Sequence, residues 1–253
     1  MSAILAVCHL GPTPYREGLA LQDALVRARV AARDGAAGAA GATDWLLFPD
    51  HPPVLTVGRG GSEASLRVSR AALAARGVEL FEIPRGGDMT WHGPGQLVGY
   101  PIVDLEARGR DLHRYLRDLE EALITALAGW GIPAGRVAGR TGVWAGGEKL
   151  ASLGIAVRRW VGYHGFALNV APDLGFFELI HPCGLRGIHM TSVAARLGAA
   201  APTLGRARHE VAEALARRLG YDRVRWAPAA EVRGLVRGIE SSMAARPNAH
   251  QAA

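Results

Sequence analysis

GVWAGGEKLASLGIAVRRWVGYHGFALNVAP, residues 142–172, reads as a run of successive β-strands. Gly146–Gly147 and Gly162 supply the expected turns, since glycine adopts the positive φ that tight reversals require. Strands joined this tightly pair antiparallel. Working outward, VELFEIP (78–84) and QLVGYPIVD (96–104) read as strands flanking the glycine-rich loop RGGDMTWHGPG (85–95). SAILAVCHL (2–10) and DWLLFPDH (44–51) are further strands, and PVLTVG (53–58) follows so closely that 44–58 predicts a hairpin. Apolar residues at three- and four-residue spacing predict helices over 17–35, 110–131 and 205–220. A short helix over 69–77 starts at an N-capping Ser69 and stops at Gly77. The pattern defines an α/β chain of the α+β type, with a mixed, largely antiparallel central sheet flanked by helices. It predicts one domain over 1–240, its sheet core within about 1–190 and a smaller helical part over 190–240. The stretch 241–253 lacks periodicity and reads as a disordered tail.

The chain has 253 residues, 49% hydrophobic and 21% charged, enough to bury a substantial core. No stretch approaches the roughly 18 apolar residues of a membrane span, and the N-terminal apolar run is too short for a signal peptide. Two cysteines, Cys8 and Cys183, point away from a disulfide framework and toward a reducing cytoplasm. The net charge of +6 is carried by scattered arginines in short groups, with no long basic run interleaved with aromatics. This patterning favours steering of acidic protein partners over nucleic acid or membrane. Nothing in it demands more than a monomer.

Of the 29 Lys+Arg residues, Lys149 is the one lysine. A guanidinium stays protonated, whereas an amine can give up and take back a proton, so a retained lysine marks a position where arginine would fail. The loop Arg85-Gly86-Gly87-Asp88-Met89-Thr90-Trp91-His92-Gly93-Pro94-Gly95-Gln96 sets polar side chains among glycines that let backbone approach a ligand. It lacks the Gly-Lys-Ser/Thr ending of a phosphate-binding loop. Cys183 lies in His181-Pro182-Cys183-Gly184, an irregular turn suited to presenting a thiol, while Cys8 sits in an apolar strand and reads as core. His181, Cys183 and His189 do not complete a normal zinc set, so no metal is expected. His92 and His164 read equally well as ligands, bases or hydrogen-bonded structural histidines.

Three blocks taken together resemble the signature segments of the lipoyl(octanoyl) transferases, the LipB family: RGGDMTWHGPGQLVGYPI, GVWAGGEKLASLGIAVRRWVGYHGFALNV and HPCGLRGIHMTSV. Order and spacing agree over about residues 44–200. Trp91 and Tyr163 depart from the residues common at those places. The resemblance implies the fold of the biotin/lipoate protein ligase catalytic domain. It also implies transfer of an octanoyl group from octanoyl-acyl carrier protein to a lysine of lipoyl domains, those of 2-oxoacid dehydrogenase complexes and the glycine cleavage H protein. On this resemblance Cys183 is the nucleophile that carries the acyl group as a thioester, and Lys149 is its catalytic partner. Arg85, Gly86, Gly87, Asp88, Met89, Thr90, Trp91 and His92, with Ala151, Ser152, Leu153, His164, Gly165 and Phe166, form the implied substrate site. No cofactor is expected, because the thioester arrives already activated. The competing expectation is an ATP-dependent lipoate- or biotin-protein ligase of the same fold, for which Gly58-Arg59-Gly60-Gly61 would be the glycine-arginine loop.

Overall fold

The computed structural model describes residues 3–35, 39–181 and 188–244. In chain order the elements are β1 (Ile4–Pro12), α1 (Tyr15–Arg33), β2 (Asp44–Asp50), β3 (Val54–Val57), α2 (Arg70–Ala75), β4 (Glu79–Glu82), β5 (Met89–His92) and β6 (Gln96–Asp104). There follow α3 (Leu112–Gly129), β7 (Gly135–Val137), β8 (Arg140–Ala145), β9 (Glu148–Arg158), β10 (Val161–Asn169), α4 (Val193–Leu197), α5 (Leu204–Arg218), β11 (Arg223–Ala227) and α6 (Ala229–Ala244). Eight strands form the main sheet in the order β11-β1-β2-β6-β10-β9-β8-β7, and β4-β3-β5 form a second, smaller sheet. In the main sheet only the pairings of β1 with β11 and β2 are parallel, so the sheet is mixed and largely antiparallel, as its sequence predicts.

Alternation along the strands covers both faces of the main sheet. Leu5 and Val7 of β1, with Leu46 and Phe48 of β2, enter a cluster shared with Tyr115, Leu119 and Leu123 of α3 and Val211 and Leu215 of α5. Their neighbours Ala6, Cys8, Trp45 and Leu47 point the other way, into a cluster with Leu21 and Leu25 of α1 and Val232 and Val236 of α6. Strands buried on both faces read as continuous apolar runs, which is why β1 and β2 were so plain in the sequence. Side-chain caps start three helices: Ser69, the cap its sequence predicts, accepts from Ala72 N, while Asp111 accepts from Arg114 N and Thr203 from Arg206 N.

Three local expectations are corrected. The hairpin over 44–58 does not form: β2 lies between β1 and β6, whereas β3 lies between β4 and β5 in the other sheet. The connecting His51-Pro52-Pro53 includes two residues without an N–H, so the chain leaves one ladder and enters another. The loop 85–95 contains a strand, β5, whose Met89–His92 pair antiparallel with Val54–Val57. The turn after β9 is made at Arg159 and Trp160, both at positive φ (47° and 62°), while Gly162 lies inside β10 against Tyr115. Two elements near the C-terminus, β11 and α6, went unread; β11 is a half-exposed edge strand of sequence RVRWA with no clean alternation. Within 241–253, residues up to Ala244 continue α6 and the remainder lie outside the described residues.

Candidate active site

A cleft of about 400 Å³ opens where the two sheets meet. The main sheet contributes Lys149, Ser152 and Leu153 from β9 and His164, Gly165 and Phe166 from β10. The opposite wall is Arg85, Gly87, Asp88, Met89, Thr90 and His92, from the glycine-rich loop and β5. The structure thus brings together most of the residues that the resemblance implied, from segments about 60 positions apart in the chain. Three others stand behind the walls. Trp91 is fully buried, stacked on Phe176 and edge-on to Phe177. Ala151 is likewise buried in the core of the main sheet. Gly86 donates its N–H to Ile155 O at 2.9 Å, stitching the loop to β9. Cys183 lies outside the described residues; Ile188, five positions later in the chain, lines the cleft.

Lys149 is 3% exposed. Its ammonium sits 5.4 Å from the centre of the Trp144 ring, which belongs to the partnered residue on β8. A cation over an aromatic face is attracted by the ring quadrupole. Space for the side chain comes from Gly142, where a Cβ would fall 2.6 Å from Lys149 Cε. Gly142 is itself held by its N–H on the fully buried Glu120 carboxylate at 3.0 Å, and Glu120 is paired with Arg117 and Arg136. Glu148 does not pair with Lys149; it pairs with Arg196 on α4. The backbone of Lys149 bonds on both sides to the returning chain, N–H to His189 O at 2.9 Å and O from Thr191 N at 3.0 Å.

Arg85 and three histidines make up a polar part of the cleft and of the buried layer beside it. The Arg85 guanidinium donates to Thr56 O at 2.9 Å, Thr56 Oγ1 at 2.8 Å and Gly86 O at 3.0 Å. Burial lowers His92 and His164 to about 3 and His51 to about 4. A second effect on His164 is the nearby Arg85 charge, which opposes another cation. His51 donates from Nδ1 to Thr13 O and so accepts the Tyr100 hydroxyl at Nε2, both at 2.7 Å. His164 is a non-glycine residue at φ 57°, its N–H held by Gln22 Oε1 at 2.8 Å. A buried side chain kept in this region of φ/ψ is strained, and such strain gathers at functional sites.

Tyr15, Tyr100, Trp144 and Ile188 line the cleft and went unnoticed in the sequence. Trp144 carried a usable signal, because two strands turning at Gly146–Gly147 set it across from Lys149. Tyr15 and Tyr100 carried none: they meet only through the pairing of the main sheet with α1. Cys8, read as core, is fully buried, and burial pushes its thiol up to about 11.

A buried amine at a cleft on a mixed sheet, faced by a glycine-rich loop, is the candidate active site of this domain. The family model of the lipoyl protein ligase A/B catalytic domain matches residues 14–216, and the chain belongs to that family. It is 52% identical over 196 residues to the octanoyltransferase of Geobacter sulfurreducens, spanning 78% of this chain and 77% of that protein. Against the octanoyltransferase of Geobacter metallireducens identity is 49% over 210 residues, 82% of this chain and 90% of the other. Among solved structures, lipoate-protein ligase A bound with ATP superimposes with a TM-score of 0.72, covering 95% of each chain at 19% identity. A putative lipoate protein ligase from T. acidophilum with bound lipoic acid gives 0.69 at 18% identity, covering 96% of each. At these identities the structural likeness establishes the fold, which is that of the lipoate ligases.

Proposed function

We propose that this chain is an octanoyltransferase of lipoate biosynthesis, moving an octanoyl group from octanoyl-acyl carrier protein to a lysine of a lipoyl domain in the cytoplasm. The observation that carries the reading is the buried Lys149 at an apolar cleft, in a chain about half identical to proteins named octanoyltransferase. Those relatives favour transfer over ATP-dependent ligation; the lipoate-protein ligase A bound with ATP is 19% identical to this chain.

Cys183 attacks the carrier thioester, expels the carrier thiol and holds the octanoyl group as a new thioester. A free thiol is only a few per cent thiolate at neutral pH, and a neighbouring ammonium favours the anion. Lys149 supplies that ammonium and gives its proton to the departing carrier thiolate, which leaves it a neutral amine for the second step. The acceptor lysine then attacks the acyl-enzyme, an amide forms, the Cys183 sulfur leaves, and Lys149 takes the proton lost by the attacking amine. Histidines held neutral down to about pH 3 are poor proton acceptors at pH 7, so His92 and His164 shape the pocket and leave proton transfer to Lys149. Met89, Leu153, Phe166 and Ile188 give the aliphatic chain an apolar lining. Each buried methylene contributes roughly 0.8 kcal/mol.

Weighing the intact protein after incubation with octanoyl-acyl carrier protein tests this. Wild-type chain gains one octanoyl group without ATP, and Cys183→Ala gains none. An adduct that needs ATP, or one that survives in Cys183→Ala, overturns the assignment.

A further inference from the structure

Five hydrogen bonds run in series inward from Arg85 and His92 of the cleft wall, and their polarity is set from the far end. Thr191 O can only accept, so the Asn169 side chain turns its Nδ2 to it, at 3.0 Å. Asn169 Oδ1 is then left to accept from Gln96 Nε2 at 2.9 Å. Gln96 Oε1 faces His92 Nδ1 at 2.9 Å, so that nitrogen carries the proton. His92 Nε2 accepts from the Thr56 hydroxyl at 3.4 Å, and the hydroxyl oxygen accepts from Arg85 at 2.8 Å. Neither amide can be turned over without setting acceptor against acceptor or donor against donor. All six residues are buried, Asn169 with 1% of its surface exposed, so a broken bond here finds no bulk water to replace it.

The series ends on the segment that grips Lys149. Met190 pairs with Lys149 as an isolated parallel bridge, with no strand extending it on either side. The two backbone bonds of that bridge, from Lys149 N to His189 O and from Thr191 N to Lys149 O, are short of the support that a longer ladder would give. Asn169, the last residue of β10, is the side chain that fixes the Thr191 carbonyl.

We propose that Asn169 is a positioning residue for Lys149, acting through Thr191, and that Gln96 keeps the Asn169 amide in its working orientation. The proposal rests on the acyl-transfer reading and adds to it a residue that touches neither substrate nor reacting atoms. The chain's single lysine makes the test direct. Protein labelled with ε-¹⁵N-lysine gives one side-chain signal, that of Lys149. Asn169→Leu shifts this signal and lowers kcat for octanoyl transfer about ten-fold or more, with KM for donor and acceptor changed less than two-fold. Gln96→Leu acts in the same direction and less strongly. Leu123→Val, a core change on α3 that lowers stability without touching the series, leaves the signal in place. The proposal is overturned if the Lys149 signal of Asn169→Leu coincides with that of wild type, or if Leu123→Val moves it as far. Should Asn169→Leu fail to fold, Gln96→Leu decides by the same criterion. Failure of wild-type protein to transfer octanoyl groups would remove the functional reading, while the Lys149 signal still judges the positioning claim separately.

Discussion

The two sheets that face each other across the cleft are held in place by different means. Strands β1 and β2 of the main sheet are packed on both faces by helices, and the fully buried Leu46, Leu119 and Leu123 belong to one continuous apolar cluster. The small sheet has three strands of four residues each, and the loop leading into β5 is fastened mainly by backbone contacts at glycines. Gly58 N donates to Asp88 O, Arg59 N to Arg85 O and Gly60 N to Gly87 O, at 3.0 to 3.2 Å. The difference separates two jobs. Apolar packing fixes the main sheet whose strand β9 carries Lys149, whereas close backbone approach at glycines sets how near the opposite wall comes to it.

The largest expected break falls at the polar junction between the sheets. His51, His92 and His164 have native values near 4, 3 and 3, against about 6.5 in an unfolded chain. Between those limits the unfolded chain binds more protons than the native one, so stability falls as pH falls. Three such groups give a slope of up to about 4 kcal/mol per pH unit below pH 6. Urea melts at pH 7, 6 and 5 read this slope directly. A chain equally stable at pH 7 and pH 5 would mean that the three imidazoles are not buried as neutral groups.

A smaller effect sharpens the contrast. In Gly58→Ala the new Cβ would lie 2.4 Å from Gly87 O and 3.0 Å from Arg85 O, so one backbone segment must move off the other. Overpacking of this kind costs about 1–3 kcal/mol. The expected outcome is a fold that survives while octanoyl transfer drops about ten-fold or more, because the wall carrying Arg85 through His92 is displaced. Transfer at the wild-type rate would show that this wall does not set the site.

Much of this architecture was legible in the chain because it rests on periodicity. Strands β1, β2, β6, β9 and β10 of the main sheet and the helices α1, α3 and α5 announce themselves through apolar runs, two-residue alternation and three-to-four-residue spacing. What escaped notice was decided by contacts remote in sequence. The small sheet was hidden because β5 lies among the turn-forming glycines of 85–95, and because the double proline after His51 moves the chain between sheets. Lys149 was conspicuous as the one lysine among arginines, and Trp144 was reachable from its place across the turn. Tyr15, Tyr100 and Asn169 gave no local sign, since each acquires its role only when β6, β10 and α1 come together. The proposed role of Cys183 rests on the resemblance of HPCGLRGIHMTSV and on its nearness in sequence to Ile188.

The central claim is that Lys149 works as an amine that exchanges a proton and not as a fixed positive charge. Replacing it with arginine keeps the charge and removes the exchange. Measured separately for the two half-reactions, Lys149→Arg should still form the octanoyl-enzyme at a rate within about ten-fold of wild type. Delivery to the lipoyl domain should fall by about a hundred-fold or more, the range seen when a general base is lost. Equal losses in both halves, or undiminished delivery, would contradict the account.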